Sequence, residues 1–146
     1  MNLSKNSHNL FAEFFEECDL CDTLEFPKVQ VYSRRGSKIL TRILMVEGIT
    51  FGRHIFVQPK NVWRDEKNKL RIHQKLMAHE LVHVLQYQQQ GFFGFLRKYV
   101  SDFWRIFKQK EKWNLKSWFE SYRDLPHEIE ARKVASEFIN WIENSE

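Results

Sequence analysis

The sequence predicts an α+β domain in which a small antiparallel β-sheet packs on one side of a helical layer. Three observations lead there: β-branched stretches cluster between residues 29 and 57, long segments with helical spacing follow, and Gly or Pro marks the joints. At 146 residues and 42% hydrophobic, the chain is long enough for one core and too short for two ordinary domains. We therefore expect one domain over 1–146, with a helical extension over 1–27, strands over 28–60 and helices over 65–146.

Each element has its own signal. Leu10, Phe11, Phe14, Phe15 and Cys18 recur among Glu13, Glu16 and Glu17, which predicts an amphipathic helix from Leu10 to Cys21. Val29 to Tyr32 and Ile39 to Val46 read as two strands, with Arg35, Gly36 and Ser37 as the turn between them. Glu47 and Gly48 break that run, and Ile49 to Val57 forms a third strand closed by Pro59. From Lys69 to Gln89 no Gly or Pro occurs. Ile72, Leu76, His79 and His83 share one face there, and Leu70, Met77, Leu81, Val84 and Leu85 cover most of the rest, so this helix should run through the core. Gly91 and Gly94 end it; Phe95 to Phe107 and Leu115 to Tyr122 follow as helices, and Pro126 opens a last one reaching Ile142.

Lys and Arg number 23 against 19 Asp and Glu, and this +4 surplus reads as spread along the chain. It favours solubility, and no nucleic-acid partner is expected from it. Met1 to Asn9 is polar and no apolar run suits a signal sequence or a transmembrane span, so the expected location is cytoplasmic, with unconventional export as the alternative. Cys18 and Cys21 read as two reduced thiols on a helix, since no second pair accompanies them. Aromatics reach 15%, many of them between Phe92 and Phe119. The stretch Phe92 to Phe107, with Lys108, Lys110 and Lys112 beyond it, fits either a core-packed helix with a solvated basic turn or a segment lying on an anionic membrane; the core is the expected place.

The chemistry centres on His79, Glu80, Leu81, Val82 and His83. Imidazoles at i and i+4 stand one above the other on a helix and can point at one ion, while Glu80, turned about 100° away, faces its open side. A catalytic zinc takes three protein ligands, so a third is needed. The other histidines are His8, His54, His73 and His127, and the last helix offers Glu128 and Glu130. Glu128 shares a face with Ala131, Arg132, Ala135, Ile139 and Ile142, the stripe that should pack inward, whereas Glu130 shares one with Lys133, Glu137, Asn140 and Asn144. A carboxylate on the apolar stripe must be paired or metal-bound, which selects Glu128 over Glu130; an ion pair with Arg132 is the ordinary alternative, and His127 is the other candidate ligand.

The stretch from Met77 to Tyr87 (MAHELVHVLQY), followed 45 residues after His83 by Glu128 to Ala131 (EIEA), resembles the gluzincin zinc metallopeptidases. It is more closely similar to a small bacterial domain of unknown function, the extracellular contractile injection system core domain. That likeness rests on Thr50 to Arg53 (TFGR), His79 to Gln86 (HELVHVLQ) and Tyr122 to Arg132 (YRDLPHEIEAR), and it covers about residues 29–135. The resemblance implies zinc bound by His79, His83 and Glu128, with Glu80 as general base. Many gluzincins carry an Asp four residues after the ligand Glu to orient a zinc-bound His; here that position is Arg132, which cannot accept the hydrogen bond. Glu130 and Asp124 are the candidates to replace it.

The function expected is a zinc metallopeptidase acting on a peptide or protein. Zinc would acidify a water and polarise the scissile carbonyl, with Glu80 moving the proton. Tyr122 and His127 are the candidates for oxyanion stabilisation or for the shell behind the ligands, together with Arg132. In gluzincin-like proteins a strand placed like Ile49 to Val57 aligns the peptide, and Gly52 would permit close approach there or mark a bulge. The alternative function is a catalytically weak or inactive zinc-binding module of peptidase type that serves interaction or scaffolding.

Overall fold

In the computed structural model, which describes residues 1–18, 25–33, 35–43 and 46–145, the helix that carries both motif histidines runs through the middle of the fold. The chain order is α1 (Lys5–Glu17), β1 (Gln30–Tyr32), α2 (Arg35–Ile43), β2 (Gly48–Phe51), β3 (His54–Val57), a 3-10 turn at Pro59–Asn61, β4 (Val62–Arg64), β5 (Leu70–Ile72), α3 (Gln74–Gln90), α4 (Phe92–Lys108), α5 (Leu115–Arg123) and α6 (Pro126–Ser145). The class is α+β, mostly helical. On α3, Met77, Ala78 and every residue from Glu80 to Tyr87 are buried, as an all-round apolar helix must be. Its main partner is α6, which buries Ala131, Val134, Ala135 and Phe138 against it.

The sheet differs from the expected antiparallel one. Its order is β1-β3-β2, with β1 parallel to β3 (Val31 opposite Ile55) and β2 antiparallel to β3 (Thr50 opposite Ile55). The run from Ile39 to Val46 had suggested a strand, but its first part belongs to α2, which carries the chain past the place of β3 to β2; β2 then runs back and leaves β3 parallel to β1. Burial explains why β-branched content misleads there. Ser37 and Thr41, one helical turn apart, are the inward residues, and the Thr41 hydroxyl donates to the Ser37 carbonyl at 2.7 Å, while Ile39 faces water.

Ile49 to Val57 is a hairpin and not one strand. Gly52, at φ +59°, is the first residue of the two-residue connection between Phe51 and His54, where positive φ favours glycine. A second hairpin, β4 with β5, was not anticipated and takes Leu70 to Ile72 out of the expected helix. Its turn is held by Asp65, whose Oδ1 accepts from the Lys67 and Lys69 amides at 3.0 and 2.8 Å, with Asn68 at φ +58°.

α1 takes part in the core. Phe11, Phe14 and Phe15 of α1 belong to the main core, and Phe138 of α6 stacks on Phe11 at 4.6 Å and meets Phe14 edge-on at 5.0 Å. Each buried Phe contributes about 1.5–3 kcal/mol of hydrophobic stabilisation, which fixes α1 on the distal half of α6. The expected core position of α4 is corrected in consequence. With α1 filling the core, α4 buries only Phe95 and Phe103 among its aromatics and leaves Phe92, Phe93 and Trp104 exposed. Gly94 lies inside α4, and only Gly91, at φ +73°, separates α3 from α4. Cys18 packs against the core, and Cys21 lies outside the described residues. Among the described residues no helix is long and apolar enough to cross a membrane.

Candidate metal centre

Helical periodicity on α3 stacks His79 over His83, and the α3–α6 packing brings the first turn of α6 onto the same spot. The Nε2 atoms of His79 and His83 are 3.2 Å apart, Glu128 Oε2 is 3.1 Å from His79 Nε2, and Glu128 Oε1 is 3.2 Å from His83 Nε2. Donors on tetrahedral bonds of about 2.0–2.1 Å stand about 3.3 Å apart, so each of these separations is of a size that suits zinc, with Glu128 facing the two histidines through different oxygens and one donor atom from each residue lying within 4.8 Å of the others. His83 and Glu128 are buried and His79 is half-buried beside an open cleft of about 600 Å³ that Asn61, Phe119, Tyr122 and Arg132 also line, so the group can hold a metal ion with one side accessible.

Hydrogen-bond accounting supports the fit. Gln86 Nε2 donates to Glu130 Oε2 at 2.6 Å and lies 3.3 Å from the His127 carbonyl, which turns Gln86 Oε1 toward His83 Nδ1 at 2.8 Å. His83 Nδ1 must therefore carry the proton, and in the neutral ring Nε2 presents a lone pair to the centre. Facing the Glu128 carboxylate, that lone pair needs a cation, either a proton or a metal. Burial pushes the His83 pKa down, but the Glu128 charge and hydrogen bond, aided by Glu80 and Gln86, outweigh it and raise the pKa to about 9. Burial likewise opposes charge on Glu128, and His83 together with the hydrogen bonds from both histidines holds that carboxyl well below its usual range.

Glu80 sits beside the pair, 2% exposed. Its Oε2 accepts from the Thr50 hydroxyl at 2.8 Å, and its other oxygen lies so close to Gly48 that a Cβ there would be 2.5 Å away. Burial raises the Glu80 pKa, with His83, His79 and the Thr50 hydrogen bond pulling against it. Tyr99 donates to Glu128 Oε1 at 3.0 Å, and burial plus the Glu128 charge keep its phenol protonated. Tyr122 is treated the same way by burial and Glu128, and it lines a small cavity of about 90 Å³ with Glu80, His83, Phe95 and Glu128.

The candidate residues thus divide. His79, Glu80, His83, Glu128 and Tyr122 come together. The His127 ring instead lies against Phe95 at 4.8 Å, with Nε2 at the Gln90 amide and Nδ1 without a partner among the described residues; burial, then Lys98 and His83, lower its pKa. His127 meets the site through its backbone carbonyl at Gln86. Arg132 donates to the Arg123 carbonyl and ties the end of α5 to α6, while Asp124 pairs with Lys110 at 2.9 Å. The His83 ring is held instead by its hydrogen bond to Gln86, which Glu130 holds in turn. Sequence reasoning missed Gly48, Thr50, Gln86 and Tyr99. Gln86 carried the best available signal, because it lies three residues after His83, on a neighbouring helical position.

Two outcomes follow from this geometry. Without metal, the His83–Glu128 pair stabilises the fold most between the ordinary carboxylate and imidazole pKa values, about 4.5 to 6.5; the raised His83 pKa means its share is lost as pH climbs from about 6.5 to 9, and the Glu128 share is lost as pH falls below about 4.5. Thermal melts in a chelator should show that alkaline loss, and saturating zinc should flatten it, because the metal displaces the proton. Separately, Gln86→Ala should weaken zinc binding about 10–100-fold by freeing the His83 ring, measured by competition with a chromogenic chelator.

Residues 22–91 match the model of the eCIS core domain. This is just under half of the chain, and over it the chain is similar to that domain, from the strands through the end of α3. Gly48, Thr50, His79, Glu80, His83 and Gln86 fall inside the matched segment, and Glu128 falls beyond it. No curated protein and no solved structure matches the chain.

Proposed function

We propose that the chain is a zinc-binding domain of peptidase type whose centre hydrolyses peptide bonds. The observation that carries the reading is the convergence of His79, His83 and Glu128, with one donor atom from each within 4.8 Å of the others and the Glu80 carboxyl beside them. Two imidazoles and one carboxylate with an accessible side suit zinc in its catalytic form. Zinc bound there supplies Lewis acidity, which makes water more acidic and polarises a carbonyl.

The protein's own groups would do the rest. A carboxyl whose pKa is raised by burial is better matched to taking a proton from water and returning it to a leaving amine than an exposed one, and Glu80 is in that condition. Gly48 and Thr50 hold its position from β2. Tyr99 and Gln86 fix the two buried ligands. Tyr122, kept protonated, is the donor for a developing oxyanion, the role for which His127 was the other candidate. Because β2 is an outer strand of its sheet, an extended peptide could pair along it close to Glu80.

A second reading, a zinc-binding interaction or scaffold module with little or no catalysis, is favoured by two observations. Glu80 spends an oxygen on Thr50 in a nearly closed position, and the family whose model matches is described as a core domain. One experiment separates the readings: zinc-loaded protein incubated with a peptide library and unfolded casein, wild type beside Glu80→Gln. Hydrolysis should fall about 10²–10⁴-fold in the variant at unchanged zinc content. Full zinc content with no cleavage by the wild type would leave the second reading standing.

A further inference from the structure

We propose that the outer face of the α4–α5 hairpin docks on an anionic lipid bilayer surface. The inference is independent of the metal centre. None of the residues of α4 or α5 belongs to the main core cluster. Instead Phe103, Trp104, Phe107, Trp113 and Trp118 form a second cluster, linked by ring contacts of 4.5 Å (Phe103–Trp118), 5.8 Å (Trp104–Phe107) and 5.9 Å (Phe107–Trp113). The cluster is closed only on its inner side. Trp113 is 69% exposed and Leu115 64%, and on α4 the stripe Phe93, Arg97, Val100, Trp104 and Lys108, spaced at four, three, four and four residues, is exposed throughout, with Phe93 at 82%. Helical spacing places these five on one side of a rod about 25 Å long.

Charge decides what covers this face. Residues 92–123 hold eight Lys or Arg and three Asp or Glu, a net of +5, so the remaining residues, with 15 against 16, carry −1. The +4 that reads as spread along the chain is therefore concentrated on this hairpin. Of its three acids, Asp102 is buried and neutralised by Lys98 at 3.1 Å and Arg105 at 2.9 Å, while Arg97, Lys108 and Lys112 have no ion-pair partner among the described residues. A second copy would bring +5 against +5, and Lys is depleted from the middle of protein–protein interfaces. Aromatic rings interleaved with unpaired Lys and Arg match a surface of anionic headgroups over an apolar layer, where Trp lies at the boundary and the cationic heads reach out to phosphate. The exposed stripe lies along one side of α4, so the contact is in the plane of the membrane.

The test is co-sedimentation of the full chain with large vesicles of phosphatidylcholine alone or with about 30% phosphatidylserine, at about 0.1 M and 0.5 M salt. Wild type should bind the anionic vesicles, weaken at the higher salt and show a blue-shifted Trp emission. Phe93→Ser with Trp113→Ser, and separately Lys108→Glu with Lys112→Glu, should each lower binding about tenfold, with helical circular dichroism and zinc uptake unchanged. Binding no stronger than to neutral vesicles, equal binding by the variants, or a dimer lost in the Phe93/Trp113 variant without vesicle binding would overturn the proposal.

Discussion

A buried carboxylate that faces two imidazoles is the constraint around which the rest of this structure is arranged. Glu128 is 2% exposed, and an ionised group at that depth is unfavourable by several kcal/mol unless charge and hydrogen bonds compensate it. His79, His83 and Tyr99 provide that compensation only while α6 lies along α3. The apolar packing of Leu81, Leu85, Ala131, Ala135 and Phe138 makes that contact favourable, so hydrophobic burial sets the distance at which the polar chemistry works. One contact thus serves the core and gathers the group that could hold a metal ion.

The same economy appears on the far side of α3. The hairpin of β2 and β3 completes the core with Ile55 and Val57, and it also delivers Gly48 and Thr50 to Glu80. Gly48 matters for what it lacks: a methyl group there would collide with the carboxylate. Thr50 answers the remaining oxygen. α1 docks near Phe138, ten residues or about 15 Å along α6 from Glu128, so it supports the helix that carries Glu128 while staying away from the cleft.

How much could be read in advance follows from how local each signal is. The helix around His79 announces itself through uninterrupted spacing, and the choice of Glu128 over Glu130 follows from which residue falls on the apolar stripe of α6. Thr50 and Tyr99 were not legible as site residues, because each acts through a partner 29 or 30 positions away, and Gln86, though three residues from His83, is set in place by Glu130, 44 positions away. α2 was misread because Ile39 and Thr41 carry β propensity while the inward positions follow helical spacing, and tertiary packing overrides such weak preferences. The exposure of α4 depends on a competition between amphipathic segments that only the assembled core resolves in favour of α1. Arg132 is the instructive departure. It cannot accept a hydrogen bond from an imidazole, and the His83 ring is held by a relay through Gln86 to Glu130 that draws on α3 and α6.

The central claim is that His79, His83 and Glu128 form one metal centre. Elemental analysis after zinc loading and desalting, on wild type, Glu128→Ala and Glu130→Ala, tests it most directly. The account predicts one zinc per chain in the wild type, none in Glu128→Ala, and full loading at weakened affinity in Glu130→Ala, whose carboxylate only supports Gln86. A wild type that takes up no metal, or a Glu128→Ala that keeps it while Glu130→Ala loses it, would contradict the account.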